Sequence, residues 1–141
     1  ILGRFGFEIA FALAGANAGV SIYPSLYSGT RRYIAGFRYD RVLGRWRYLD
    51  SDGNWQSIGN AVPLDYSGYA YHFLKLVADF STLKYVRAMA NEQTILLSDY
   101  GLLDSANTES PRLNLQIVAE SLGYASQTVY LDDVIITQNE P

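Results

Sequence analysis

Residues Thr128 to Thr137 read TVYLDDVIIT, and this stretch is the clearest guide to the fold of the chain. In it, β-branched and aromatic residues alternate around a pair of acids, Asp132 and Asp133, and such residues suit the pleated, half-buried surface of a strand. The stretch is typical of the strand that closes an antiparallel β-sandwich. Because neighbouring side chains of a strand point to opposite sheet faces, we expect one of the two carboxylates to point inward.

The same two-residue alternation recurs along nearly the whole chain, whereas a sustained helical stripe does not. Clusters of Gly, Asn, Asp and Ser separate the alternating segments. This pattern predicts an all-β chain folded as an antiparallel two-sheet β-sandwich or jelly roll. The predicted strands are Phe5 to Leu13, Val20 to Tyr27, Arg32 to Tyr39, Trp46 to Asp50, Trp55 to Ile58, His72 to Phe80, Tyr85 to Ala90, Thr94 to Ser98, Leu113 to Glu120 and Thr128 to Thr137.

The chain length predicts one domain. Its 141 residues, 49% of them hydrophobic, can bury one sizeable core but hardly two, so a single domain over residues 1–141 is expected. Ile1 is not an initiator methionine, and the chain opens directly in strand-like text, GRFGFEIAFAL. We therefore expect a processed product or a piece of a longer polypeptide whose earlier strands are missing. No apolar run approaches the ~18 residues of a membrane helix, so membrane insertion is not predicted.

Net charge and the absence of cysteine narrow the functional classes. At a net charge of −3 the chain lacks the surplus of Lys and Arg that neutralises phosphates, so nucleic acid is not expected as the principal partner. Without Cys there is no disulfide and no thiolate metal site, which leaves the compartment undecided. Arginines concentrate in residues 31–47 and acids in residues 99–140. This polarity indicates solvated strand faces, steering of an anionic ligand, or self-association by head-to-tail packing.

The segment WRYLDSDGNWQSI, residues 46–58, predicts a hairpin. Asp52 and Gly53 suit the positive φ angles of a two-residue type I′ turn. Such a turn would place four side chains on one sheet face, because directly opposed residues share a face. They are Trp46, Tyr48, Asp50 and Trp55. Phe37 and Tyr39 of the preceding strand would extend this aromatic face.

Aromatic and polar residues around this hairpin suggest carbohydrate recognition. Sugar rings present an apolar face of C–H groups surrounded by hydroxyls, so proteins hold them with flat, exposed aromatic rings beside polar side chains. The candidate carbohydrate-binding residues are Tyr39, Trp46, Arg47, Tyr48, Asp50 and Trp55. The alternative is that these rings fill the core, as alternating aromatic residues commonly do. A second tyrosine-rich patch, DYSGYAYH, places Tyr66, Tyr69 and Tyr71 at the entrance to a strand.

Two acidic patterns bear on metal binding. A buried carboxylate must be paired or bound to a metal, so Asp132 and Asp133 suggest a structural calcium ion with Glu8 as a co-ligand. The alternatives are a salt bridge to Arg or Lys, or a position on the sandwich rim. Asp50 to Asn54 also places oxygen ligands at the first, third and fifth positions of a calcium loop. The sixth position lacks the glycine of an EF-hand, which favours a plain turn.

The chain offers little for catalysis. It has one histidine, no cysteine and no Gly-x-Ser-x-Gly elbow. His72 alternates with apolar residues on an inward face, which favours a structural histidine over a base. Glycoside hydrolysis would need two carboxylates facing an open groove, and the Glu-x-Asp-x-x-Glu pattern of jelly-roll glucanases is absent after Glu8. A noncatalytic role is therefore expected.

The segment YHFLKLVADFSTLKYVRAMANEQTILL, followed by LNLQIVAE and TVYLDDVIIT, resembles concanavalin-A-like, laminin-G-like jelly rolls. The ending VYLDDV is also similar to that of galactose-binding-like sandwiches, in which an Asp of this strand holds a structural calcium ion. The resemblance implies a noncatalytic carbohydrate-binding module of a larger secreted or cell-surface protein, with polysaccharide as its partner. Since a fold does not fix a function, the alternative is an assembly module of a surface layer, capsid or adhesin with tyrosine-rich subunit contacts.

Overall fold

The computed structural model describes residues 3–121, 123 and 126–141. The regular secondary structure of these residues consists of β-strands. No helix capable of crossing a membrane occurs in these residues. The strands are β1 (Arg4–Ala14), β2 (Ala18–Tyr27), β3 (Arg31–Ile34), β4 (Phe37–Asp40), β5 (Arg45–Leu49), β6 (Trp55–Ile58), β7 (His72–Asp79), β8 (Lys84–Ala90), β9 (Gln93–Leu96), β10 (Leu103–Ala106), β11 (Arg112–Ser121) and β12 (Thr128–Gln138).

Two antiparallel sheets pack face to face. The first has five strands in the order β12, β1, β7, β8, β9. The second is built around β2, which pairs along its whole length with β11 on one side and with β3 and then β4 on the other. Beyond β3 the sheet continues with β10, and beyond β4 it continues with β5 and β6. The prediction of an all-β, two-sheet antiparallel β-sandwich is confirmed.

Alternation along β1 decides which of its side chains enter the core. Five alternate positions carry large apolar residues, and all of them are buried. They are Phe5, Phe7, Ile9, Phe11 and Leu13. Fully burying one such side chain contributes about 1.5 to 3 kcal/mol. The positions between them hold Glu8 and small residues on the outer face of the sheet, and this outer face is the floor of the candidate site described below.

The segment predicted as one strand from Arg32 to Tyr39 is divided into β3 and β4. The division falls at Gly36, where a Cβ atom would lie 2.7 Å from the Cβ of Leu49. The hydroxyl of Tyr85 from the opposite sheet enters at this point. It accepts a hydrogen bond from the Gly36 N–H at 2.8 Å and donates one to the Leu49 carbonyl at 2.7 Å. One buried hydroxyl thus joins the two sheets where the strand is interrupted.

Strand β10 was not predicted. Asp104 and Ser105 belong to residue types that favour turns, and they interrupt the apolar alternation by which strands are recognised. In the folded chain β10 pairs with β3, which lies more than sixty residues earlier. The ion pair between Arg31 Nε and Asp104 Oδ1, at 2.7 Å, spans this pairing. Long-range pairing therefore selects the strand where the local pattern does not.

Candidate functional site

The hairpin between β5 and β6 differs from its prediction by one residue in register. Leu49, and not Asp50, stands opposite Trp55, and the backbone N–H of Asp50 donates to the Asn54 carbonyl at 2.9 Å. The loop therefore has three residues and ends with Gly53 at a φ of 84°, a common alternative to the two-residue type I′ turn. Because a shift of one residue moves a side chain to the other face, Trp55 lies on the outer face, and its predicted position beside Trp46 is wrong.

Three of the candidate carbohydrate-binding rings belong to the core. Tyr39, Trp46 and Tyr48 are 0%, 1% and 7% exposed. Trp46 stacks on Phe37 with ring centroids 5.4 Å apart, and the Tyr39 hydroxyl donates to the Val62 carbonyl at 2.8 Å. Rings enclosed in this way offer no face to a sugar, so these three residues take the alternative role in the core.

The remaining candidates, Arg47, Asp50 and Trp55, already have partners within the protein. The guanidinium of Arg38 lies 4.5 Å from the ring centre of Trp55. Arg47 donates to the Trp55 carbonyl, and to the carboxylate of Asp40 at 3.0 Å. The carboxylate of Asp50 accepts hydrogen bonds from the turn, first from the Asn54 N–H, and these lower its pKa. The six candidate carbohydrate-binding residues therefore do not form one surface.

Asp132 and Asp133 are both exposed, so neither is the inward-facing, buried carboxylate that the alternation predicted. The pairing of β12 with β1 shifts between Ile9 and Phe11, which leaves both acids opposite Ala10. Such a β-bulge breaks the alternation on which the expectation rested. Within the described ranges no group of three or more His, Cys, Asp or Glu side chains is placed to hold a metal ion. The structural calcium ion stays a prediction.

A different group of aromatic rings surrounds an open cleft. Tyr69, Tyr71 and Tyr130 are 92%, 45% and 48% exposed. Together with three small residues they line a depression of about 340 Å³. The small residues are Ala14, Ser67 and Gly68. We call this site the tyrosine cleft, and none of the described residues that line it carries a charge at neutral pH.

Small residues give the tyrosine cleft its depth. Tyr130 of β12 stands opposite Ala12 of β1, and Ala14 at the end of β1 bridges to Ser67. Gly68 has a φ of 85°, and a Cβ atom on it would lie 3.2 Å from the Cβ of Ala14 and 3.7 Å from the Tyr130 ring. A larger residue at position 68 would therefore be strained and would intrude on the floor.

Hydrogen bonds fix the loop that carries Tyr69 and Tyr71. The Gly15 N–H donates to the Tyr66 carbonyl at 3.0 Å. The carboxylate of Asp65 accepts hydrogen bonds from the Ser67 hydroxyl and from the Ser67 N–H, the latter at 2.9 Å, and these bonds lower the pKa of Asp65. The loop is therefore tied both to β1 and within itself, so the tyrosines project from a fixed backbone.

His72 anchors the same loop from below. It is buried, its Nε2 lies 3.0 Å from the Asp65 carbonyl oxygen, and its Nδ1 lies 3.3 Å from the Asn91 side-chain nitrogen. Since the Asn91 Oδ1 accepts from the Phe73 N–H, the Asn91 amide donates to Nδ1 and the histidine donates through Nε2. Both ring nitrogens are thus satisfied, as the structural interpretation of His72 predicted.

No protein-family model matches the sequence, and no curated protein is significantly similar to it. The sequence singled out Tyr69 and Tyr71 as a patch but missed Tyr130, which lies about sixty residues away. Tyr130 could be found only as an outward-facing residue of a strand that lies next to β1. That neighbourhood depends on the pairing of β12 with β1.

Proposed function

We propose that this chain is a noncatalytic carbohydrate-binding module of a secreted or cell-surface protein, and that it holds a neutral polysaccharide in the tyrosine cleft. The observation that carries the proposal is the set of three exposed tyrosine rings around a floor of small residues. A tyrosine ring offers an apolar face to the C–H groups of a sugar and a hydroxyl to its hydroxyls. The rings also lose little rotamer entropy on binding, since each has two χ angles.

The shape and charge of the tyrosine cleft favour a neutral glycan. Its volume of about 340 Å³ is at the lower end of the range for small-ligand sites. The nearby carboxylate of Asp65 accepts hydrogen bonds from Ser67, and no charged side chain from the described part of the chain lines the cleft. An anionic ligand would find no counter-charge there, whereas a neutral sugar needs only stacking and hydrogen bonds. The open shape suits one or two residues of a longer chain.

Affinity gel electrophoresis in neutral polysaccharides tests the proposal, with Tyr69→Ala and Tyr130→Ala as the disruptive variants. Each should weaken binding by about tenfold or more, which corresponds to about 1.4 kcal/mol. Tyr66→Ala is the matched control, because Tyr66 is 46% exposed on the same loop but does not line the cleft. Absence of binding to every polysaccharide, or equal binding by all three variants, would contradict the proposal.

A second candidate function is that of an assembly module, in which the same tyrosines contact other subunits. The 92% exposure of Tyr69 favours it, since tyrosine is enriched at protein interfaces. Light scattering separates the two functions. Oligomers that grow with concentration, disappear in Tyr69→Ala and form without any glycan affinity would support assembly over carbohydrate binding.

A further inference from the structure

The two sheets leave one side of the sandwich open. Among the residues that the structure describes, β12 is the outermost strand of its sheet and pairs with β1 alone, while β11 is the outermost strand of the other sheet and pairs with β2 alone. β12 approaches β2 across the sandwich, so the two outer strands border the same side. Each has one free edge there.

Apolar side chains are half exposed along this open side. Three residues of β12 stand directly opposite the fully buried Phe7, Ile9 and Phe11 of β1 and point to the same face of the sheet as these residues do. They are Leu131, Val134 and Ile136, at 46%, 48% and 50% exposure. Across the gap, the inward residues of β11 are only partly buried. They are Leu113, Leu115 and Ile117. The core thus lacks cover where β12 ends the sheet.

The free backbone of β12 is protected against strand pairing at its centre alone, where the bulge and the exposed Asp132 and Asp133 lie. Natural edge strands are protected by charges and bulges of this kind, by short length, or by Lys and Pro. β12 has eleven residues with neither, whereas β9, at the other edge of the same sheet, has only four. An added strand would supply hydrogen-bond partners for the unpaired N–H and C=O groups of this edge. Its alternate side chains would cover the exposed apolar residues beside it.

Charge decides which strand fits. The carboxylates of Asp132 and Asp133 are exposed and make no ion pair with any residue in the described ranges. They lie at the middle of β12. An antiparallel pairing of all eleven residues of β12 with a second copy would set Asp133 opposite itself, and like charges directly opposite are destabilising. The occupant should therefore bring a cation to this position.

We propose that the free edge of β12 binds an extended segment of another protein by strand addition, with apolar residues at alternate positions and a Lys or Arg near its centre. The apolar residues would lie beside Val134 and Ile136 and cover the inner face of β11. The cation would pair with Asp132 and Asp133. The added strand would become a sixth strand of the first sheet and close the open side.

A labelled peptide of eleven alternating Val and Thr residues with Lys at its centre tests the proposal by fluorescence anisotropy. It should bind about tenfold tighter than the same peptide with Glu at its centre. Val134→Lys should weaken binding of the Lys peptide by about tenfold or more. Leu96→Lys, on the opposite edge strand, is the matched control and should bind as the wild type does. Both variants should fold, because Val134 and Leu96 are exposed, and circular dichroism verifies this.

Hydrogen exchange locates the peptide. Binding should protect the amides of β12 that point away from β1. Failure of the Lys peptide to bind at millimolar concentration, or equal binding by Val134→Lys, would overturn the proposal. Sedimentation without peptide provides a further test: a dimer in which the same β12 amides are protected would assign the edge to a second copy of the chain, and would also overturn it. None of these outcomes depends on whether the tyrosine cleft binds glycan.

Discussion

Two groups of aromatic side chains occur in similar sequence patterns, but one group is buried and the other is exposed. The core aromatic group consists of Phe37, Tyr39, Trp46 and Tyr48, all of them buried. The rings of the tyrosine cleft, by contrast, are 45% to 92% exposed. The difference lies in what stands opposite each group. The core aromatic group faces the other sheet, while the cleft lies on the outer side of β1 and β12. Position relative to the second layer, and not aromatic content, decides which rings are buried and which are exposed.

The largest effect that this comparison predicts is on Trp46. Its replacement by Ala should lower the free energy of unfolding by about 3 to 5 kcal/mol, because it removes a large buried ring and leaves a cavity beside Phe37. Urea denaturation followed by tyrosine fluorescence or circular dichroism measures the change. A loss below about 1 kcal/mol would mean that Trp46 does not pack as described.

Tyr85→Phe should give the next largest effect. The hydroxyl of Tyr85 bonds to Gly36 and Leu49, and its burial raises the pKa of the phenol. Removing it leaves two buried backbone groups without a partner, at a cost of about 1 to 3 kcal/mol. Tyr100→Phe serves as the control, because Tyr100 is 36% exposed and water can replace its partners. Equal stability of the two variants would show that the bridge between the sheets is unimportant.

Acid should affect stability through Asp79. Burial opposes the ionisation of this carboxyl, but hydrogen bonds from Ser81, Arg4 and Thr82 outweigh it and lower the pKa from 3.8 to about 2. Because the pKa of Asp79 is lower in the folded state than in the unfolded state, ionised Asp79 stabilises the fold at pH values above 3.8. This stabilisation is lost as the pH falls from 3.8 through about 2. We expect a loss of about 1 to 2 kcal/mol over this window.

Asp79→Asn isolates that contribution. The variant should be less stable at pH 7 by a similar amount, and its stability should change less between pH 4 and 2 than that of the wild type. Denaturation curves at several pH values measure both quantities. A wild-type curve as flat as that of the variant would contradict the assignment. Asp79 lies at the end of β7 and does not line the tyrosine cleft, so this substitution should leave glycan affinity unchanged.

The sequence predicted strands well where alternation is strong and less well where long-range pairing decides. The segment Trp55 to Ile58 was predicted with the observed bounds, and β1, β7 and β8 within one residue at each end. The break at Gly36 was missed because the Tyr85 hydroxyl that fills it comes from the other sheet. β10 was missed because it depends on pairing with β3. Alternation reports burial on one face, but not which strands become neighbours.

The candidate site was harder to predict for the same reason. A one-residue error in the turn moved Trp55 to the wrong face, and a bulge removed the alternation that Asp132 and Asp133 were expected to follow. Turn length and bulges change which face a side chain occupies without changing strand propensity. The patch at Tyr69 and Tyr71 was identified from composition, but its third ring required knowledge of the β1 and β12 pairing.

The smallest effect on stability is expected at Tyr69, and it completes the comparison with Trp46. Tyr69→Ala should change the free energy of unfolding by no more than about 0.5 kcal/mol, because the ring is 92% exposed and leaves no cavity. The same urea denaturation that measures Trp46→Ala measures this variant. If Tyr69→Ala proved strongly destabilising, the ring would be packing against its own chain, and the proposed binding role of Tyr69 would give way to a structural one. If it is neutral in stability, any loss of glycan binding belongs to the ring itself, since the fold that presents the cleft is intact.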